Sequence, residues 1–164
     1  MTSNLNDPHA DSKAETSVEV AVVGAGPIGL ETSAALRRAG LGTVNIDRGP
    51  IGSQIVDFPP STRWFSGPER ISIAGIPLET ITQEKATREE YLTYLRTVVR
   101  LRELPVRTFE AVRSIERSER GFTLGTRTRS GLDRTIHAAS VVLAVGGTAR
   151  HRRRARLPRR ETAP

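Results

Sequence analysis

The sequence predicts a mixed α/β fold in which a parallel βαβ core carries a small antiparallel β-meander. Three observations predict it. A β-branched run over residues 18–23 (VEVAVV) stops at Gly24, and a helix-period segment and a second short run follow within about 30 residues, the size of one βαβ unit. Residues 111–138 alternate with period two between turn signals. Residues 141–145 (VVLAV) are apolar throughout and end at Gly146-Gly147, as a buried parallel strand does.

The elements follow in order. Residues 27–38 carry Ile28, Leu30, Ala34, Ala35 and Leu36 on a small-residue amphipathic helix, with Pro27 in the first turn and Gly40 past the end. Residues 42–46 (GTVNI) form a second strand closed by Asp47. Residues 48–86 lack clear periodicity and hold Pro50, Pro59, Pro60, Pro68 and Pro77, which predicts irregular, functional or mobile chain. Thr87 with Glu90 is a capping-box pattern, and Tyr91, Leu92, Leu95, Val98, Val99 and Leu101 follow at helical spacing before Pro105. The meander is expected as three strands, 111–119, 121–129 and 134–138, joined at Arg120-Gly121 and Ser130-Gly131, with 141–145 as a separate strand.

Composition excludes several classes of function. The 164 residues contain no Cys, so disulfides, thiolate metal sites and cysteine nucleophiles are ruled out for this chain. No apolar run reaches the ~18 residues of a membrane helix, and the first residues lack a signal-peptide pattern, so a cytoplasmic address and no membrane partner are expected. The net charge of +7 is local: residues 150–164 hold seven Arg and one acid, leaving 18 basic and 17 acidic residues in 1–149. That tail has no aromatic residue to stack on bases, so a solvated, disordered segment is favoured over a nucleic-acid contact. His9, His137 and His151 stand apart from other ligand types, so no metal site is expected. Ser53, Ser66 and Ser72 lack a GxSxG elbow. The expected organisation is a disordered leader at 1–16, one folded domain at 17–149 and the tail at 150–164.

The segment Gly24-Ala25-Gly26-Pro27-Ile28-Gly29 follows a strand and opens a helix. Gly24 allows the tight turn, Gly26 lets backbone approach a pyrophosphate, and Gly29 lets the helix sit close to the sheet. Free N–H groups at the helix start favour phosphate. Asp47 lies 23 residues after Gly24 at a strand end, where a carboxylate can accept hydrogen bonds from a ribose diol. This is a Rossmann-like dinucleotide fingerprint, and by itself it does not separate FAD from NAD. Arg48 could meet a 2′-phosphate, although a surface arginine is the favoured reading.

The segments VAVVGAGPIGL, VNIDRGPIGSQI, TRWFSGPERISIAGIPLE and SVVLAVGG resemble the FAD-binding front half of the thioredoxin-reductase-like flavoproteins. More specifically they resemble the bacillithiol-disulfide-reductase family of pyridine nucleotide-disulfide oxidoreductases, over residues 18–147. The resemblance implies that Gly24, Ala25, Gly26, Pro27, Ile28 and Gly29 cradle the FAD pyrophosphate and that Asp47 holds the adenosine ribose. It places the backbone of Val112 at the adenine and Gly146, within the AVGG run, against the cofactor. Gln54 and the Trp64–Phe65 region would lie toward the isoalloxazine, although a packed core pair is as good a reading for the two aromatics. It implies a low-molecular-weight disulfide substrate, NADPH as the reductant of the full-length family, and leaves a homodimer open.

Two departures stand out. Relatives that reduce bacillithiol disulfide carry Cys where this chain has Ile28, so no thiol step can run through that position. The family is about twice as long and has a second glycine loop for NADPH, and no second GxGxxG occurs in these 164 residues. The expectation is therefore an incomplete domain, the FAD-binding part of an NAD(P)H-dependent, disulfide-reductase-like flavoprotein oxidoreductase, truncated before the NAD(P)H domain and inactive alone. The rivals are a stand-alone NAD(P)-binding module and an inactive fragment. No residue is singled out as catalytic.

Overall fold

The computed structural model describes residues 15–147. Ten elements follow one another: β1 (Glu15–Val23), α1 (Pro27–Arg38), β2 (Thr43–Ile46), α2 (Ser53–Val56), α3 (Pro68–Ile71), α4 (Arg88–Leu101), β3 (Val106–Arg107), β4 (Glu110–Ser118), β5 (Gly121–Thr128) and β6 (Asp133–Leu143). One six-stranded sheet has the order β3-β2-β1-β6-β5-β4. β3, β2, β1 and β6 are parallel, whereas β4, β5 and β6 are antiparallel. The mixed α/β class expected from the sequence is the class observed.

The strand boundaries differ in two places. Residues 134–138 and 141–145 were expected as separate strands, but β6 runs unbroken from Asp133 to Leu143. It pairs antiparallel with β5 from Arg127↔Asp133 to Phe122↔Ala138, and parallel with β1 from Glu15↔Thr135 to Val23↔Leu143. The intervening Ala139-Ser140 contains neither Gly nor Pro, so nothing local breaks the strand, and partners on both sides carry it through. The meander is thus an extension of the parallel sheet. At the other end, Glu15 and Thr16 belong to β1 rather than to a leader. The rest of the expected leader, and the Arg-rich tail, lie outside the described residues.

Helix α1 buries Leu30, Ser33 and Ala34, while Ile28 and Ala35 stay exposed, so its buried stripe is narrower than the apolar pattern implied. Asn45 Nδ2 donates to Ser33 Oγ at 3.1 Å and fixes the helix over β2. Helix α4 starts on the expected capping box: Glu90 N–H donates to Thr87 Oγ1 at 3.2 Å, and Thr87 N–H donates to Glu90 Oε2 at 2.7 Å. The buried side chains form one cluster between α1, α4 and the irregular segment, and a second on the sheet around Ile46, Leu124 and Ile136.

The segment 48–86, expected to be irregular, is so apart from the short helices α2 and α3, and its proline-rich part is sewn onto α4. Tyr91 Oη donates to Ile71 O at 3.0 Å, Ile73 N–H donates to Tyr94 Oη at 2.6 Å, and Tyr94 Oη donates to Ile76 O at 2.7 Å. Trp64 N–H donates to Ala86 O at 2.9 Å, and Arg102 Nε to Ala74 O at 2.9 Å. Burial pushes the Tyr91 hydroxyl up to about 12, with a smaller contribution from Tyr94. The folded state favours the neutral phenol, so this contribution is complete below the ordinary value of 10.0 and disappears as pH rises from there toward about 12. Tyr91→Phe is expected to lose ~1 kcal/mol at neutral pH with its hydrogen bond. It should also flatten the alkaline fall in stability, which urea unfolding at pH 7 and across the alkaline range would read. An unchanged alkaline slope would exclude Tyr91 as its source.

Candidate nucleotide site

Gly24 closes the turn off β1. Its N–H donates to Ile46 O at 2.7 Å, and its φ of +113° lies where a side chain is strained. A Cβ on Gly24 would run into the Ala144 carbonyl, and one on Gly29 into the Gly24 carbonyl. A Cβ on Gly26 would meet nothing within 4 Å. Two of the three glycines are therefore required by internal packing, and the third leaves open space beside the backbone. Ala25 is buried, and its carbonyl accepts from Gly52 N–H at 2.9 Å, which ties the loop to the start of α2. Pro27 opens α1, no side chain caps the helix, and Ile28 is 72% exposed at its start. Uncapped N–H groups and the dipole make that end attractive to anions.

Asp47 stands where the sequence places it, but its role is wider than a strand-end acid. It is only 9% exposed. Oδ2 accepts from Ala25 N–H at 2.8 Å, and Oδ1 accepts from Gly49 N–H at 2.8 Å and from Ser53 Oγ at 3.2 Å. One carboxylate thus braces the glycine loop, the turn after β2 and helix α2. Asp47→Ala is expected to cost ~2 kcal/mol of stability through the N–H groups it leaves unpaired, in addition to any loss of binding. Chemical denaturation of both chains checks this, and a change below about 0.5 kcal/mol would mean that the loop holds itself.

The structure also joins Gln54 to Gly146. Gln54 Nε2 donates to Val145 O at 2.5 Å, and a Cβ on Gly146, whose φ is +76°, would overlap the Gln54 amide. Both residues sit at the end of β6 beside the glycine loop, since Ala144 touches Gly24 and Gly29. Trp64 and Phe65 part company. Trp64 packs edge-on to Phe58 and Tyr91, at 5.6 and 5.0 Å between centroids, whereas Phe65 is 93% exposed under Lys85. Val112 pairs with Thr126 and packs half-buried on the sheet cluster.

Beyond Asp47 opens a cleft of about 690 Å³. Arg48, Ser53, Gln54 and the carboxylate Asp57 are among the residues that line it from the β2–α2 side, and Ala111 and Arg113, the neighbours of Val112, line it from β4, with Phe58, Phe109, Arg127 and Arg129 also on its wall. The sequence reading missed Ser53, Phe109, Arg113, Arg127 and Arg129. The available signal was strand alternation, which puts 111 and 113 on one face of β4, but pairing β4 to β5 needed the fold. Among the described residues no three His, Asp or Glu side chains gather as a metal would require, and no helix is long and apolar enough to cross a membrane.

A parallel sheet with a strand–glycine loop–helix crossover and an acid at the end of the second strand defines a dinucleotide-binding domain of the Rossmann type. The chain belongs to the pyridine nucleotide-disulphide oxidoreductase family, whose model matches residues 21–155. It is 29% identical over 79 residues to bacilliredoxin reductase Bdr of Bacillus subtilis, a stretch covering 48% of this chain and 24% of that one. Its fold matches bacillithiol disulfide reductase Bdr from Bacillus cereus with a TM-score of 0.77 and 29% identity, over 80% of this chain and 40% of that one. A flavin-containing monooxygenase from Stenotrophomonas maltophilia follows at a TM-score of 0.69 and 31% identity, over 80% and 39%. The chain thus spans about 40% of the solved relatives, in agreement with the incomplete domain that the sequence predicts.

Proposed function

We propose that these residues are the FAD-binding part of an NAD(P)H-dependent flavoprotein oxidoreductase acting on a low-molecular-weight disulfide. The observation that carries the reading is the loop: Gly24 and Gly29 are packed against backbone, while Gly26 alone faces open space at an uncapped helix start. A pyrophosphate fits that arrangement, because backbone N–H groups can reach it with no Cβ between. Gly24, Ala25, Gly26, Pro27, Ile28 and Gly29 would cradle the pyrophosphate. Asp47 would reach the ribose with the acceptor capacity it has left, and Val112 would mark the adenine side. Gln54 and Gly146 would border the flavin side. The flavin would supply the redox chemistry when bound. The chain's own part is to seat the dinucleotide and hold its ribose end. NADPH, the disulfide and a homodimeric assembly belong to the reading of the longer relatives.

Adding FAD to the purified chain and removing the excess by gel filtration tests the reading. The expected result is retained absorbance near ~450 nm, the flavin's own band. Retention of NAD+ but not of FAD would favour a stand-alone NAD(P) module instead. With FAD bound, NADPH oxidation should stay at the free-flavin rate, because these residues contain one glycine loop and no second.

A further inference from the structure

Arg88 sits where a cation has least reason to be. It is the first residue of α4, at the positive end of the helix dipole, in a turn that otherwise carries Glu89 and Glu90. Its side chain is nevertheless only 20% exposed, and it works outside its own helix. Nη1 donates to Phe58 O at 2.5 Å and to Val56 O at 3.2 Å, across 30 and 32 residues. Nε donates to Glu89 Oε1 at 2.8 Å, and Nη2 lies 2.7 Å from the same oxygen. Glu89 in turn accepts from Ser61 N–H, with Oε2 at 3.2 Å, and Arg88 N–H donates to Thr62 O at 2.7 Å. One guanidinium and its carboxylate thus hold the chain at residues 56, 58 and 61. That stretch has little to hold itself. Helix α2 is four residues long, so all of its carbonyls fall in the last turn, where a helix supplies no regular partner. Pro59 and Pro60 then follow and bring no N–H. The first turn of α2 is fixed to the nucleotide site instead: Gly52 N–H donates to Ala25 O, Ser53 Oγ to Asp47 Oδ1, and Gln54 Nε2 to Val145 O. Arg88 fixes the other end. Val56 and Phe58, whose carbonyls it holds, line the cleft beside Asp47, and Arg88 itself does not.

We propose that Arg88 is a positioning residue for the cofactor. By holding the carbonyls of Val56 and Phe58 it keeps α2 at the setting in which Ser53 meets Asp47 and Gln54 meets Val145. The inference rests on the proposed FAD site. A planar guanidinium presents one nitrogen to two carbonyls and its other edge to a carboxylate in a fixed geometry, which an ammonium does not. Fixing the segment before FAD arrives removes an ordering cost from binding.

Arg88→Met tests the inference, because it keeps an aliphatic stem and removes every donor. Arg63→Ala is the control: Arg63 donates to Lys85 O and pairs with Glu84, in the same irregular segment but outside α2. Hydrogen exchange on the full chain without cofactor reads the positioning. The N–H groups of Ile55 and Val56, which donate to Gly52 O, and of Phe58, which donates to Ile55 O, should exchange about tenfold or more faster in Arg88→Met, while those of Leu95 and Val98 in α4 keep the parent rate. FAD titration followed by visible circular dichroism reads the consequence. Affinity should fall about tenfold, and the band of the bound flavin at saturation should change, in Arg88→Met but not in Arg63→Ala. A purely structural role would lower the melting temperature, speed exchange evenly through α4 and leave the bound flavin's spectrum as in the parent; that pattern overturns the inference, and so does parent-like FAD affinity in Arg88→Met. If Arg88→Met does not fold, Arg88→Lys, which keeps the charge but not the fork, is read against the same expectations. A parent that retains no FAD overturns the proposed function and the cofactor role of Arg88 with it, whereas equal FAD binding by parent and variant overturns the role of Arg88 alone.

Discussion

Gly26→Val is expected to abolish measurable FAD binding while leaving the fold almost untouched. The backbone at Gly26 has φ −82° and ψ −179°, an extended conformation that valine adopts readily. A Cβ there would meet nothing within 4 Å, so the fold is expected to register little beyond the weaker N-cap, ~1 kcal/mol. Yet that open space is where a pyrophosphate must approach the helix start. Two branched methyl groups there should weaken FAD by about 100-fold or more, ~2.8 kcal/mol. The contrast with the other two glycines makes the result diagnostic. Gly24→Val and Gly29→Val would drive a Cβ into backbone carbonyls, and Gly24 also has a positive φ, so both should unfold at lower denaturant before binding is considered. Equal FAD affinity for Gly26→Val and the parent would place the dinucleotide elsewhere on the chain.

Glu110→Ala is expected to produce the largest loss of stability of any single polar substitution outside the loop. Glu110 is 1% exposed at the start of β4. Thr126 Oγ1 donates to Oε1 at 2.6 Å, Arg134 donates to Oε2 at 2.8 Å, and Arg107 lies 3.8 Å away. The Glu110 N–H also donates to Asp47 O at 2.9 Å, so this residue ties β4 to the end of β2 while its side chain ties β3, β5 and β6 together. Removing the carboxylate leaves two partly buried guanidiniums facing each other without their anion. The cost is ~3 kcal/mol, at the lower end for breaking a buried pair because both arginines keep some solvent. That corresponds to a melting-temperature drop of roughly 10 °C. Glu110→Gln, which keeps an acceptor for Thr126, should lose less. A loss below about 1 kcal/mol for Glu110→Ala would show that packing alone holds the junction.

The local chemistry was legible because it depends on neighbours in sequence. The start of α4 is an example: Thr87 and Glu90 are three residues apart, and the box they form needs nothing else. The glycine loop is another, since a tight turn, a Pro at the first helical position and an acid after the next strand are all matters of order along the chain. The edges of elements were less legible. Residues 134–145 read as two strands because apolar alternation changes to a continuous run, and only pairing to β1 on one side and β5 on the other makes β6 a single strand. Helices α2 and α3 are four residues each, too short to leave a periodic trace.

By itself the sequence determined the α/β class, the order of strand, glycine loop and helix, and the acid at the end of β2, because tight turns and helix starts are set within a few residues. Tertiary structure alone decided what Asp47, Gln54 and the arginines do. Asp47 braces Ala25 across 22 residues, and Gln54 meets Val145 across 91. Trp64 and Phe65, adjacent and chemically alike, go one into the core and one to the surface. Arg48, Arg113 and Arg129 share a cleft only because β4 bulges beside β5 and folds back over the turn after β2. Those contacts arise from sheet register and loop closure, which fix the positions of charges that no spacing along the chain reveals.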